Sequence, residues 1–207
     1  MKVLLFNGSP RIRGCTFTAL TLIAEELKAQ GIDAEIVQLG NKPIQDCVAC
    51  GGCAGKRRCV IGSDGINDFI EKAAEADGFV FGTPVYYAHP TGRILSAMDR
   101  MFYAGSQNFK HKPAAVIASA RRAGTTASLD TVVKHLGISQ MPVVSSSYWN
   151  MVHGNTPEET LRDLEGVQTM KNLARNMAWL LKCIDLGKKQ GITAPNNETT
   201  ERTNFIR

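Results

Sequence analysis

The sequence predicts an α/β fold in which a doubly wound, five-stranded parallel sheet carries helices on both faces. Short apolar runs recur along the chain, separated by segments with the apolar spacing of amphipathic helices. The first run, from Val3 to Asn7, is of the kind that forms a parallel strand buried on both faces. Strands that alternate with helices in this way form βαβ units and a parallel sheet. The length of 207 residues suits one such domain better than two.

Each element is predicted from its own pattern. The strands are predicted at residues 3–7, 34–39, 78–82, 114–119 and 141–147. The first helix ends before Gly31, and its apolar residues share one face: Leu20, Ile23, Ala24 and Leu27. Thr83 and Pro84 are predicted to end the third strand, and the later helices are predicted at residues 66–76, 94–103, 128–136 and 157–184. Five strands match the flavodoxin-like layout better than the larger six-stranded dinucleotide fold.

The predicted organisation is one domain and a tail. The domain covers residues 1–187 and contains a cysteine-rich insert at residues 40–64. Residues 188–207 form a polar tail rich in Asn and Thr, which we expect to lie on a neighbouring subunit. The long final helix has more apolar residues than one small sheet needs, so a homodimer or a homotetramer is expected.

Composition excludes several classes of function. The formal net charge of +5 is too small to indicate a nucleic-acid-binding protein. The apolar runs are shorter than the roughly 18 residues that span a bilayer, and the first is too short for a signal peptide. We therefore expect a cytoplasmic protein without nucleic-acid or membrane partners. In that compartment six cysteines indicate metal or redox chemistry rather than a disulfide framework.

The loop after the first strand has the composition of a phosphate-binding loop. Residues 7–16 read NGSPRIRGCT and combine small residues, hydroxyl groups and two arginines with the start of a helix. Exposed backbone N–H groups and the positive end of a helix bind anions. The loop matches neither the P-loop nor the G-x-G-x-x-G pattern. Taken alone, it is equally consistent with a tight turn followed by an N-cap.

Two further loops are predicted at the same edge of the sheet. The third strand is followed by TPVYY at residues 83–87, in which two tyrosines offer flat, amphipathic surfaces. The fourth strand is followed by SARRAGT at residues 119–125. Ligands of open α/β sheets bind beyond the carboxyl ends of the strands, where these loops lie. Aromatic residues at such positions can also serve only as core or lid.

Four cysteines form a C-x2-C-x2-C-x5-C pattern: Cys47, Cys50, Cys53 and Cys59. Four thiolates are the ligand set of an iron–sulfur cluster or of a structural zinc ion. The surrounding glycines keep side chains away from the loop, and the basic run at residues 56–58 offsets the charge of four thiolates. A cluster, a zinc ion and a chance grouping of buried cysteines are the three alternatives that the spacing leaves open.

Together the motifs resemble the NADPH-dependent FMN reductase and iron–sulfur flavoprotein group. The resemblance covers residues 1 to about 150 and includes NGSPR-x-x-G-x-T, the cysteine pattern and the segment from Thr83 to Arg100. It implies that the first loop binds the FMN phosphate through Ser9, Arg11, Cys15 and Thr16, although many relatives have Asn in place of Cys15. It further implies a flavin ring lined by Pro84, Val85, Tyr86 and Tyr87, a pyrimidine contact by Arg121 and Gly124, and a 4Fe–4S cluster on the four cysteines.

The expected function is an FMN-dependent oxidoreductase that uses NAD(P)H as a transient donor and reduces a flavin, a quinone or another small acceptor. The cluster would act as a one-electron relay, and no side chain is expected to serve as a catalytic acid or nucleophile, because the cofactors supply the chemistry. The alternative is an electron carrier that exchanges electrons with ferredoxin and has no NAD(P)H activity of its own. A structural metal protein without redox function is a third possibility.

Overall fold

A computed structural model of the chain describes residues 1–206. The strands are β1 (Lys2–Asn7), β2 (Asp33–Gln38), β3 (Gly78–Tyr86), β4 (His89–Pro90), β5 (Ala114–Ala120) and β6 (Met151–His153). The helices are α1 (Cys15–Ala29), α2 (Ile66–Ala74), α3 (Gly92–Gly105), α4 (Thr125–Ile138), α5 (Pro157–Arg162) and α6 (Leu164–Lys189). A short 3-10 turn, Ser106–Asn108, follows α3.

The sheet confirms the predicted doubly wound architecture. Its strands lie in the order β2-β1-β3-β5-β6 and pair in parallel, while β4 pairs antiparallel with the end of β3. The chain therefore winds outward in both directions from β1 and β3, which places the topological switch point between these two strands.

Two apolar layers cover the two faces of the sheet. Alternate residues of β1 point to opposite faces, so that Leu4 and Phe6 pack in one layer and Val3 and Leu5 in the other. The first layer is completed by α2, α3 and α4, and the second by α1 and α6. Among residues 1–206, no helix combines the length and the apolar character that crossing a membrane requires.

The predicted fifth strand at residues 141–147 is wrong. Only Pro142 and Val144 bond to β5, through Ala114, and the chain then leaves the sheet. Pro142 has no N–H to donate, and the serines that follow bond to α6: Asn176 donates to the Ser145 carbonyl oxygen at 2.8 Å, and Ser146 donates to the Thr169 carbonyl oxygen at 2.6 Å. The sheet instead gains β6, which pairs with the carboxyl end of β5.

Two other predicted boundaries also differ from the structure. The third strand does not end at Thr83 and Pro84 but continues to Tyr86, because β4 folds back on it as a hairpin. The final helix is interrupted at Asp163, whose carboxylate accepts bonds from the backbone N–H groups of Gly166 and His153 at 2.9 and 2.7 Å. The helix then runs to Lys189, and residues 192–206 are irregular and exposed.

Candidate functional site

An open cleft of about 160 Å³ lies at the carboxyl ends of β1, β3 and β5. Eight of the ten predicted cofactor-binding residues line it: Ser9, Arg11, Cys15, Thr16, Pro84, Val85, Tyr86 and Arg121. Gly154 and Asn155, which follow β6, complete the wall. Sequence reasoning missed these two residues because it placed the last strand about ten residues too early. The structure thus brings the three predicted loops together at the switch point.

Side chains of the first loop hold its backbone in place. The Ser9 N–H donates to Asn7 Oδ1 at 3.1 Å, and the Arg11 N–H donates to Ser9 Oγ at 3.1 Å. Gln38, at the end of β2, accepts from Asn7 Nδ2 at 2.6 Å and donates to the Ser9 carbonyl oxygen at 2.7 Å. The Ser9 hydroxyl is therefore part of the turn itself and also faces the cleft.

Two helix N-termini are left open near this cleft. Helix α1 begins after Gly14 and α4 begins after Gly124, and neither N-cap residue accepts a hydrogen bond through a side chain. By contrast, α3 is capped by Thr91, whose Oγ1 accepts from the Ile94 N–H at 3.4 Å. The free N–H groups of α1 lie in the phosphate loop, where a phosphate can take the place of the missing cap. The residues present therefore fit the phosphate end of FMN.

Thr16 and Cys15 connect the first loop to the opposite wall of the cleft. The hydroxyl groups of Thr16 and Ser119 are 2.7 Å apart, and both residues are buried. The Cys15 thiol donates to the Gly154 carbonyl oxygen at 3.5 Å. These contacts join the carboxyl ends of β1, β5 and β6 into one rim.

Tyr87 and Gly124 are not among the residues that line the cleft within the described chain. Tyr87 is fully exposed at the tip of the β3–β4 hairpin, where Tyr87 and Ala88 both have positive φ, 51° and 59°. Gly124 lies behind the hairpin, where a Cβ atom would be 2.5 Å from Ala88 Cα and 2.7 Å from Val85 Cγ1. Gly124 therefore supports the wall of the cleft through Val85. Direct contact of either residue with a flavin stays a prediction.

All four cysteines line a second cavity, of about 140 Å³. Its other wall is the second half of α3, with Arg100, Tyr103 and Ala104. Cys47, Cys53 and Cys59 are half-buried and Cys50 is exposed, and all four are free thiols. The insert folds back along α3. At the helical rise of about 1.5 Å per residue, Arg100 lies about 12 Å from the start of the helix at Gly92.

A buried ion pair orders the cysteine-rich insert. Arg100 is 1% exposed and pairs with Asp64, and it donates to Cys59 Sγ at 3.4 Å. Burial by itself raises the pKa of Asp64, but the hydrogen bonds and the charge of Arg100 outweigh it and hold the pKa below its ordinary value. Arg100 therefore anchors the cysteine-rich insert to α3. Nothing in the local sequence places Arg100 beside Asp64, because the two residues are 36 positions apart.

All four cysteines line one cavity, but their side chains do not form a ready-made site for a single metal ion. Among residues 1–206, no three Cys, His, Asp or Glu side chains are arranged to hold a single metal ion. A tetrahedral zinc ion requires its four thiolates around one atom. The arrangement thus differs from a preformed zinc site.

Solved structures similar to this one define the fold as flavodoxin-like. A flavodoxin from the domain Archaea matches with a TM-score of 0.61 at 13% identity, over 88% of this chain and 99% of that chain. RosB, crystallised with a bound formylriboflavin phosphate intermediate, matches with a TM-score of 0.68 at 16% identity, over 100% of this chain and 92% of its own. At these identities the likeness shows the fold alone.

Sequence comparison identifies the family. The family model described as NADPH-dependent FMN reductase matches residues 1–156. The chain belongs to this family, as the motifs predicted, and it is a flavin oxidoreductase. Family membership supports FMN as its cofactor.

Three curated relatives are named for redox functions. An iron–sulfur flavoprotein of Methanocaldococcus jannaschii is 30% identical over 89% of this chain and 99% of its own length. An iron–sulfur flavoprotein of Archaeoglobus fulgidus is 37% identical over 69% of this chain and 72% of its own. An FMN-dependent NADPH-azoreductase of Staphylococcus aureus is 29% identical over 58% of this chain and 60% of its own.

Proposed function

We propose that this protein uses NAD(P)H to reduce a flavin, a quinone or another small acceptor through FMN, with a 4Fe–4S cluster on Cys47, Cys50, Cys53 and Cys59 as a one-electron relay. The observation that carries the proposal is the presence of two separate sites in one chain, the cleft at the switch point and the cavity that all four cysteines line. The names of the archaeal relatives support the cluster, and the name of the azoreductase supports a pyridine nucleotide as donor.

The cleft residues have distinct parts in this proposal. The open N-terminus of α1 and the Arg11 guanidinium would bind the FMN phosphate, since a charged donor bonds strongly to phosphate. Pro84, Val85 and Tyr86 would lie along the flavin ring, and Arg121 would stand near its pyrimidine end, where a positive charge favours the anionic reduced form. Bound FMN accepts a hydride and releases electrons one at a time.

We propose a cluster rather than a zinc ion because the archaeal relatives are named iron–sulfur flavoproteins. The thiolates of a cubane cluster each bind a different iron atom, so their sulfur atoms stand farther apart than around one zinc ion. All four cysteines line one cavity, so each could bind a different iron atom of a cluster there. The exposed residues Lys56, Arg57 and Arg58 lie in the same loop and would offset the negative charge of the cluster.

A homodimer or a homotetramer is part of the proposal. Within one chain the cysteine cavity is displaced from the cleft along α3, so electrons would pass more directly to the flavin of another subunit. The second candidate function is an electron carrier that exchanges electrons with ferredoxin and lacks NAD(P)H activity. The exposed basic run beside the cysteines favours an acidic partner of this kind.

Two measurements test the proposal. Mass spectrometry of the released flavin should identify FMN, and FAD would contradict it. The anaerobic holoprotein is then mixed separately with NADPH, NADH and reduced ferredoxin while the flavin absorbance is followed. Rapid bleaching by a pyridine nucleotide supports the reductase, whereas bleaching by ferredoxin alone makes the protein an electron carrier. Iron and sulfide analysis after anaerobic reconstitution should give close to four of each per chain, the stoichiometry of one 4Fe–4S cluster.

A further inference from the structure

Arg100 is a charged side chain enclosed by the protein. It is 1% exposed, and among residues 1–206 it is the largest side chain by volume that is fully buried. Burying a charge is costly unless it is paired and hydrogen-bonded. The positions of its donors therefore show what the surrounding structure is built to hold.

Each of the five N–H groups of this guanidinium can be matched to an acceptor. Two bond to the carboxylate oxygens of Asp64, one through Nη1 and one through Nη2. Nη1 also donates to the Gln45 carbonyl oxygen at 3.0 Å, and Nη2 donates to the Ile61 carbonyl oxygen at 2.5 Å. The remaining donor, Nε, points to Cys59 Sγ at 3.4 Å. One side chain thus joins the beginning and the end of the cysteine-rich insert.

Cys59 is held at two points. Asn67, in α2, accepts from the Cys59 N–H at 2.8 Å and donates to the Cys59 carbonyl oxygen at 3.0 Å, which fixes the backbone. Arg100 contacts the sulfur atom and itself lines the cysteine cavity. Cys59 is the fourth cysteine of the pattern, the one separated from the others by five residues.

We propose that Arg100 is a positioning residue for the cysteine site, which orients Cys59 and raises the reduction potential of the cluster through its N–H···S hydrogen bond. The inference rests on the proposed function, in which the four cysteines hold a 4Fe–4S cluster. Hydrogen bonds to the sulfur atoms are among the factors that set cluster potentials. Reduction adds negative charge to the cluster and its sulfur ligands, so a donor that faces Cys59 stabilises the reduced form more than the oxidised form.

The test uses variants that keep the charge of the buried pair balanced. The double variant Arg100→Gln/Asp64→Asn removes both charges and leaves neither unpaired. Arg100→Lys is the second variant, because it keeps a positive charge but lacks the Nε donor. The matched control is Arg93→Gln, on the same helix, whose exposed Nη1 donates to the Lys42 carbonyl oxygen at 2.6 Å in the same insert, without contact to a cysteine.

The readout is the midpoint potential of the anaerobically reconstituted cluster, measured by an electron paramagnetic resonance titration, with iron and sulfide content and circular dichroism beside it. At the wild-type midpoint potential, we expect the ratio of reduced to oxidised cluster to fall about tenfold in both Arg100 variants, which is 59 mV for a one-electron couple. In the Arg93→Gln control the same ratio should stay within about twofold of the wild-type value, since Arg93 bonds to the Lys42 carbonyl oxygen and not to a cysteine.

The outcomes separate this inference from the proposed function. If the wild-type protein takes up no cluster, the cluster part of the proposed function fails and the inference fails with it. If the wild type is loaded and the folded Arg100 variants keep both iron content and midpoint, the inference alone is overturned. Selective loss of iron from folded Arg100 variants, with iron retained by Arg93→Gln, supports the positioning role. Equal loss in the control counts against it. If the double variant does not fold, the midpoint potential and iron content of Arg100→Lys alone test the inference.

Discussion

A Cβ atom on Gly124 would lie 2.5 Å from the Cα atom of Ala88, so the N-terminus of α4 and the β3–β4 hairpin approach as closely as backbone atoms allow. Gly124 also has a φ of +92°, a backbone conformation that residues with a side chain rarely adopt. Val85, on the same hairpin, lines the cleft. The position of this wall therefore depends on a residue that does not touch the cleft.

Gly124→Ala should lower the free energy of unfolding by about 1–3 kcal/mol, because the new methyl group meets the hairpin and the backbone is strained. It should also weaken FMN binding, because Val85 on this hairpin lines the cleft. Flavin fluorescence titration and thermal unfolding of the apoprotein measure the two effects. Gly137→Ala is the control: it lies within α4, and its Cβ would meet nothing within 4 Å. This control should raise stability by about 0.5–1 kcal/mol and leave FMN binding unchanged. Equal FMN affinity in the two variants would contradict the role given to Gly124.

Arg11→Ala should weaken FMN binding by about 1.5–3 kcal/mol, because a charge-assisted hydrogen bond to the phosphate is lost. Isothermal titration of the apoprotein with FMN, and with riboflavin, gives the measurement. Riboflavin lacks the phosphate, so its affinity should not change. Arg13→Ala is the matched control, since Arg13 faces a separate groove beside Phe17. An unchanged dissociation constant for FMN would remove Arg11 from the site.

The Asp64–Arg100 pair makes the stability of the apoprotein sensitive to acid. The pKa of Asp64 lies below its ordinary value in the folded protein, so the stability that this carboxylate contributes is complete above about pH 5 and is lost as the pH falls through the folded pKa. We expect Asp64→Asn to cost about 3 kcal/mol at pH 7, and the difference from wild type to shrink below about pH 4. Urea unfolding at several pH values measures it.

The control for the acid effect is Asp185→Asn. Asp185 makes an exposed pair with Lys189 on α6, and exposed pairs contribute little to stability. Its substitution should leave the free energy of unfolding nearly unchanged at every pH. A difference between wild type and Asp64→Asn that stays constant down to pH 2 would show that the carboxylate is not held ionised by Arg100.

A closed homodimer or homotetramer is expected in solution. Of the apolar residues on the final helix, Leu173 and Met177 are buried in the core of their own chain, whereas Leu164, Trp179 and Leu186 remain exposed. Light scattering at micromolar concentration should give at least twice the mass of one chain. A monomer that still reduces acceptors would refute electron transfer between subunits.

Local sequence pattern was sufficient for most of the fold. Four of the five strands lie close to where the sequence predicted them, at residues 3–7, 34–39, 78–82 and 114–119. These features depend on neighbouring residues, so they can be read without tertiary structure. The same holds for the three loops around the cleft, because parallel strands carry their carboxyl ends to one edge.

The contacts between distant segments were decided only by the tertiary structure. Residues 141–147 begin with apolar residues, yet two of their serines bond to α6. The strand that pairs with β5 is instead Met151–His153. The cysteine-rich insert turns away from the sheet edge because Arg100, some forty residues later, holds it against α3. The sequence by itself predicted eight of the residues that line the cleft and the four cysteines that line the second cavity. Tertiary packing decided which distant residues come into contact. A buried charge such as that of Arg100 must be paired, and the fold supplies its partners.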